Sequence, residues 1–351
     1  MNKTVLYIIL LAAIIFAPFI FPDYRTQLAT LWLFIIVAMT WDMTGGQMGY
    51  NSLGNIFFYG TGMYVAAVVA IGLVYNVAEY TGASGGGRYD FTNAQYFTGF
   101  FLGCILAGIF CAISAIIIGY LTFGLRGPYF AIGTLGVAIA AGELVSNWDW
   151  VGGGQGITLP VYPGDLDDGK LFIYFCFAIT GVLLFIFVSW LYTTRFGAAI
   201  NAIRDDEEKA EAMGIHTMRY KLVTWSMSAF FVGIVGGISA FQLISFEPLE
   251  SAYQTINLGI FMVVCVLLGG KGTLWGPIIG AIIFQIFKEV TWNYFLGWQW
   301  VALGALIVVT VVYFQDGLMG WLRHNKPEWF GLTIDEKASE AREASKAEAA
   351  Q

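Results

Sequence analysis

The chain has 351 residues, 58% hydrophobic and only 12% charged, with a mean hydropathy of +0.70. Soluble domains carry about 25% charged residues, so this composition excludes a soluble globular protein. Apolar runs long enough to cross a bilayer core of roughly 30 Å recur along the chain, and lipid cannot satisfy exposed backbone groups, so the spans must be helical. The net charge of −7 says little about partners, because a barely charged body is summed with an acidic tail.

In chain order, Val5 to Phe21 is the first apolar run. It reads as a retained helix, since Phe21, Pro22 and Asp23 stand where a secretory signal would end in small residues. Gln27 to Met43 is the second span, followed by a glycine-rich break, Gly45 to Asn55. Polar, glycine-rich sequence at membrane depth survives only when buried in protein or facing a cavity. Ile56 to Val74 is the third span, and Tyr75 to Gln95 a loop containing Gly85, Gly86 and Gly87. Tyr96 to Phe123 is the fourth, turned by Leu125-Arg126-Gly127-Pro128 into a fifth, Tyr129 to Ser146, with Gly133, Gly136 and Glu143.

After the loop Asn147 to Gly169, Leu171 to Tyr192 is the sixth span. Leu222 to Ile244 is the seventh, with Gly233 and Gly237 at a spacing that lets helices approach closely. Tyr253 to Leu268 is the eighth, and Gly269-Gly270-Lys271-Gly272 turns the chain. Leu274 to Phe295, with Gly276 and Gly280 at the same spacing, and Trp300 to Phe314 complete the set. The expected fold is all-α: a polytopic transmembrane helical bundle of about ten spans with broken or re-entrant segments. Residues 1–322 would form the transmembrane domain and residues 323–351 an acidic, Ala-rich tail.

Between the sixth and seventh spans lies Arg195 to Tyr220, the longest polar interruption among the spans. Its Ala, Glu, Lys and Arg content favours helix, and Gly214 is placed to end that helix, since glycine tolerates the left-handed C-terminal position. Thirteen of the 17 Lys and Arg residues fall on the side of this segment and of the N-terminus, three fall opposite, and Lys288 lies within a span. By the positive-inside rule both termini and the segment are cytoplasmic.

The residues offer little for catalysis. With two histidines and four cysteines scattered through the spans, there is no metal, redox or nucleophile–base set, so the chain is not read as an enzyme. Gly270-Lys271-Gly272 is no phosphate loop, because Cys265 stands where the first glycine is needed and Gly272 replaces Ser or Thr. If ATP is used, a partner binds it, and this chain carries no cofactor of its own. Many aromatics lie near span ends, as interfacial belts require.

Intramembrane polar groups are functional candidates by default. Glu143 is the strongest, facing substrate, relaying a proton or positioning a broken helix. Asp42 reads as an end-cap or brace for the first break. Lys288 and Glu289 point about 100° apart and are expected to reach polar neighbours or the outer interface by snorkelling. The breaks Gly45–Asn55, Gly127–Gly136 and Gly269–Gly276 all begin on the cytoplasmic side. Broken helices of this kind build transport paths, although glycine also serves close packing. The candidate path residues are Gln47, Asn51, Ser52, Thr134 and Glu143.

Three stretches in order, GQMGYNSLGNIFFYGTGMYVAA, LRGPYFAIGTLGVAIAAGELVSNWDWVGGGQGI and RFGAAINAIRDDEEKAEAMGI, with the later GGKGTLWGPIIGA, resemble the membrane subunits of high-affinity branched-chain amino acid ABC importers. The nearer likeness is to the LivM-type permease subunit, over roughly residues 28 to 322. The resemblance implies a multi-pass permease of the cell inner membrane, paired with a second, unlike permease. Two cytoplasmic ATPase subunits and a periplasmic substrate-binding protein would complete the transporter, with no nucleic acid involved. Residues 195–220 would hold the coupling helix, with Arg204, Asp205, Glu208, Ala212 and Gly214 at the matching positions. Asn55 stands where the family usually has histidine, and Asp42 where asparagine is common. The substrate stays open among branched-chain amino acids, urea, amides and aromatic acids. The rival expectation is an ion-coupled secondary transporter using Glu143.

Overall fold

The computed structural model describes residues 12, 14–82, 89–295, 297–313 and 317–320, and those residues are nearly all helical. Residues 5–11 and 13 of the expected first span, the Gly85–Gly87 loop and the tail 323–351 lie outside the described residues. The described part of the first span, 14–20, is helical.

The chain proceeds through α1 (Arg25–Asp42), α2 (Asn55–Gly72), a short α3 (Val77–Gly82), α4 (Asn93–Thr122), α5 (Pro128–Ser146) and α6 (Leu166–Thr193). Then come two short helices, α7 (Arg195–Asp205) and α8 (Glu207–Ala212), followed by α9 (Thr217–Leu243), α10 (Phe261–Gly269), α11 (Gly276–Tyr294) and α12 (Gln299–Tyr313). Wide π-helical turns extend α1 through Met43–Gln47 and precede α10 at Pro248–Ala252 and Thr255–Ile260. Among the described residues, seven helices are long and apolar enough to cross a membrane: Pro22–Gln47, α2, α4, α5, α6, α9 and Pro248–Gly269. These are the second to eighth expected spans. The ninth is α11, which carries Lys288 and Glu289, and the tenth is α12, a helix of 15 residues.

Local chemistry sets several boundaries. A reciprocal pair opens α4: the Thr92 hydroxyl accepts from the Gln95 amide at 3.4 Å, and the Gln95 side chain accepts from the Thr92 amide at 2.9 Å. Pro128 stands at the first position of α5, where its missing N–H costs nothing.

Helices α2, α4 and α9 pack most extensively on one another. In lipid the association of helices rests on close packing rather than on water exclusion, and small residues supply it here. A side chain at Gly233 would meet the Ala107 carbonyl at 2.7 Å, and one at Gly237 would meet the Cys104 sulfur at 3.1 Å. The second expected pair acts likewise, with Gly276 and Gly280 closing α11 onto Gly270 and Cys265. Helix α1 is buried along most of its second half and packs against α6, α9, α10 and α11, which makes it the spine of the bundle. Helix α5 is peripheral, with Tyr129, Ile132 and Leu144 all more than 60% exposed.

Two short strands, absent from the sequence-based expectation, close the face opposite α7 and α8. β1 (Ile157–Thr158) and β2 (Ser245–Phe246) pair antiparallel, Ile157 with Phe246 and Thr158 with Ser245. They tie the loop after α5 to the end of α9.

Candidate functional site: a polar two-helix segment gripped from beneath

The polar stretch between α6 and α9 folds as two helices rather than the single one expected. Helix α7 starts at Thr194, whose hydroxyl accepts from the Gly197 amide at 3.4 Å, and it buries Gly197, Ala199, Ile200 and Ile203. The chain breaks at Asp206, whose extended backbone frees its side chain to cap α8 by accepting from the Lys209 amide at 3.1 Å. The Lys209 ammonium also reaches the Asp206 carboxylate at 2.9 Å, and these bonds hold the Asp206 carboxyl below the usual carboxylate range.

Gly214 ends α8, as expected. Its φ of +87° is left-handed, its amide donates to the Glu211 carbonyl at 2.9 Å, and the Ile215 amide donates to the Ala210 carbonyl at 3.0 Å. That pair of bonds is the glycine stop that closes helices with a left-handed residue. The outward surface of the segment carries Asp205, Glu208, Lys209, Ala212 and Met213, the last 83% exposed. The Arg204 guanidinium folds back on Asp205 at 3.0 Å, and its stem lies against Gly49 in the first glycine break.

The inner side of α8 is held by a buried charge. Lys221, 3% exposed in the first turns of α9, places its ammonium 2.7 Å from Glu207 at the start of α8. The Tyr50 hydroxyl donates to the other Glu207 oxygen and accepts from Lys221 at 3.1 Å. The ammonium also lies 4.8 Å from the Tyr50 ring centre and 5.5 Å from that of Phe123, and the Tyr50 ring meets Phe123 and Phe130 edge-on. Burial works against the Glu207 carboxylate, but the bonds from Lys221 and Tyr50 outweigh it and hold its carboxyl below the usual range. Burial and the Glu207 partner push the Tyr50 phenol up. Breaking a buried ion pair by deleting one partner costs about 3–5 kcal/mol.

Tyr50 belongs to the Gly45–Asn55 break, and that break joins the other two. The Asp42 carboxylate accepts from the Gly272 amide at 2.7 Å, in the space where a Gly46 side chain would stand. The Gln47 amide donates to the Gly272 carbonyl at 2.7 Å, and Lys271 donates to Asn51 at 3.0 Å. Burial pushes the Lys271 ammonium down, while the Asp42 charge opposes the shift. The Leu53 amide donates to the Thr134 hydroxyl at 3.1 Å, which brings in the Gly127–Gly136 break. Asp42 is therefore a brace, one of the two roles the sequence suggested, and three breaks far apart in sequence form one junction directly beneath α7 and α8.

A family profile described as "Branched-chain amino acid transport system / permease component" matches residues 25–312. The chain belongs to that permease family. The permease is 27% identical over 323 residues to the high-affinity branched-chain amino acid transport system permease protein LivM of Escherichia coli K12, covering 84% of this chain and 73% of the relative. It is 25% identical over 236 residues to a probable branched-chain amino acid transport permease protein LivM of Methanocaldococcus jannaschii, covering 61% and 68%. It is also 27% identical over 228 residues to the autoinducer 2 import system permease protein LsrC of Yersinia pseudotuberculosis, covering 60% and 62%. No solved structure matches the chain. The match and the seven apolar helices make this a multi-pass membrane protein of a transport system.

The permease fold gathers some of the expected site residues and leaves others apart. Gln47, Ser52 and Thr134 are buried in the junction, where Ser52 also accepts the Trp41 indole N–H through its carbonyl at 2.6 Å. Asn51 is exposed at its rim. Glu143 stands apart on α5 with its side chain exposed. Arg204, Asp205, Glu208 and Ala212 are exposed on α7 and α8, and Glu208 pairs with Arg126 at 3.2 Å. The residues that sequence reasoning missed are Tyr50, Glu207 and Lys221. The one local signal was a lysine sunk just inside an apolar span.

Proposed function

We propose that the permease is one of two unlike membrane subunits of an ATP-driven ABC importer in a bacterial inner membrane, with both termini cytoplasmic. Its cargo is branched-chain or related amino acids, delivered by a periplasmic binding protein. Two ATPase subunits dock on residues 195–215 and bind the ATP that this chain has no site for. The single observation that supports this most is the two-sided build of α8. Its outer surface is polar and open around Met213, while its inner surface is clamped by Glu207 to Lys221 and Tyr50. A surface loop needs no such clamp; a lever does. A displacement of α8 by closing ATPases passes through Glu207 to α9 by way of Lys221, and to the junction of glycine breaks by way of Tyr50.

The test is co-purification with the cognate ATPase subunits. The intact chain is expected to retain them, and Arg204→Glu and Gly214→Pro to lose them while still inserting in the membrane. Proline suits the Gly214 position poorly, since it cannot adopt the left-handed backbone and lacks the N–H that closes α8. An intact chain that captures no ATPase, or variants that bind it unchanged, would overturn the proposal.

A further inference from the structure

A second lysine, half-buried, lies in the bundle without a comparable ion-pair partner among the described residues. Lys288 is on α11, twelve residues or about 18 Å along from Gly276. Side chains on a helix lean toward its N-terminus, and this one does: its ammonium lies 5.0 Å from the Phe34 ring centre and 6.0 Å from that of Phe261. Phe34 is nine residues from the start of α1 and eight from its end, about 12–14 Å from each. The ammonium is therefore near the midplane of the bundle and has not snorkelled to an interface, contrary to the sequence-based expectation.

Among the described residues no carboxylate forms an ion pair with Lys288, and no hydrogen bond involves it. Ring faces offset only part of what an ammonium loses on leaving water. One turn earlier, Gln285 is 4% exposed, and its side-chain oxygen is buried with no hydrogen-bond partner. Its amide nitrogen donates to Glu289 at 2.9 Å, leaving the second Glu289 oxygen free. Residues 285, 288 and 289 fall within an arc of about 100° on one helix face. A cation in no ion pair, a half-used carboxylate and an orphaned carbonyl oxygen thus share one helix face near mid-membrane, with two phenyl rings beside the cation.

We propose that Gln285, Lys288 and Glu289 form a transient contact site for the zwitterionic head of an amino acid in transit, with Phe34 and Phe261 alongside. Lys288 takes the substrate carboxylate. Glu289 and the Gln285 carbonyl take its ammonium. The head group completes each partnership that the protein leaves open, so a substrate carrying both charges crosses the midplane without an unpaired charge. This assignment rests on the importer proposal and adds to it the residues that meet the cargo.

The test uses the complete transporter in proteoliposomes with its binding protein, with leucine as the probe. It compares the wild type with Lys288→Met and Lys288→Arg by leucine imported per ATP hydrolysed. Lys288→Met is expected to lower that ratio about 10- to 100-fold, the loss of one hydrogen bond to a charged group, with ATP hydrolysis retained and the ratio largely restored in Lys288→Arg. Wild-type import in Lys288→Met overturns the assignment while leaving the importer proposal standing. Loss of the second permease on co-purification of Lys288→Met also overturns it, by making Lys288 a counter-ion between subunits. Failure of the wild-type transporter to import leucine or any other zwitterionic amino acid overturns the proposed cargo and this site together.

Discussion

Lys221 and Lys288 are the same side chain set among helices and facing aromatic rings, the first buried and the second half-buried. Lys221 has a carboxylate at 2.7 Å, a phenol at 3.1 Å and two ring faces. Lys288 has the two rings and the charge of the adjacent Glu289, but among the described residues it forms no ion pair or hydrogen bond. The first arrangement is complete within the chain and fixes the geometry of α8 against α9. The second lacks an ion-pair partner among the described residues, and the proposed substrate contact would supply one. Charge alone does not separate a structural lysine from a functional one; the state of its partners does.

The largest expected effect tests the completeness of the Lys221 site. Glu207→Ala strands a buried ammonium and should destabilise the purified permease by about 3–5 kcal/mol, read as a fall in its thermal midpoint. Combining it with Lys221→Met should recover most of that loss, since no charge is then left without a partner. If the single variant melts like the wild type, the clamp is not a structural element and the contrast with Lys288 fails.

A smaller effect comes from pH. The Glu207 carboxyl is held below its unfolded value, so the stability it contributes is fully present above the unfolded carboxylate pKa of about 4.3. That stability is lost as the pH falls through the depressed folded value. The thermal midpoint should therefore fall as the pH drops below about 4.3, and Glu207→Gln should flatten that fall. An equal slope in the variant would assign the acid sensitivity to other carboxylates.

The smallest effect marks the outer edge of the same segment. Arg126 and Glu208 pair at 3.2 Å with side chains 67% and 79% exposed, and such pairs contribute about 0–1 kcal/mol. Arg126→Ala should leave the thermal midpoint nearly unchanged. A loss approaching that of Glu207→Ala would show that the two faces of α8 are not energetically distinct.

Much of this organisation is legible in the residues. The stop at Gly214 is a local property, since a left-handed backbone and its two closing bonds need only a glycine in the right place. The break at Asp206 was equally local, a capping residue followed by two acidic positions. Yet the unbroken run of helix-favouring residues around it reads as one helix, and no propensity distinguishes a cap from a solvated charge in mid-helix. The junction was half legible. Each of its three glycine breaks stands out by composition, but their meeting through Gly272, Lys271 and Thr134 is not written in any one of them.

The sequence by itself determined the class of protein, the places of the long spans, the breaks and the polar segment that caps them. Hydrophobic length and glycine act over a few residues, and so can be read along the chain. Only the tertiary structure decided which charges are satisfied. Lys221 meets Tyr50 across 171 positions of sequence, Gly272 meets Asp42 across 230, and Lys288 forms no ion pair among the described residues. Whether a buried ammonium is paired depends on distances of a few ångströms between helices remote in the chain, and those are fixed by packing alone.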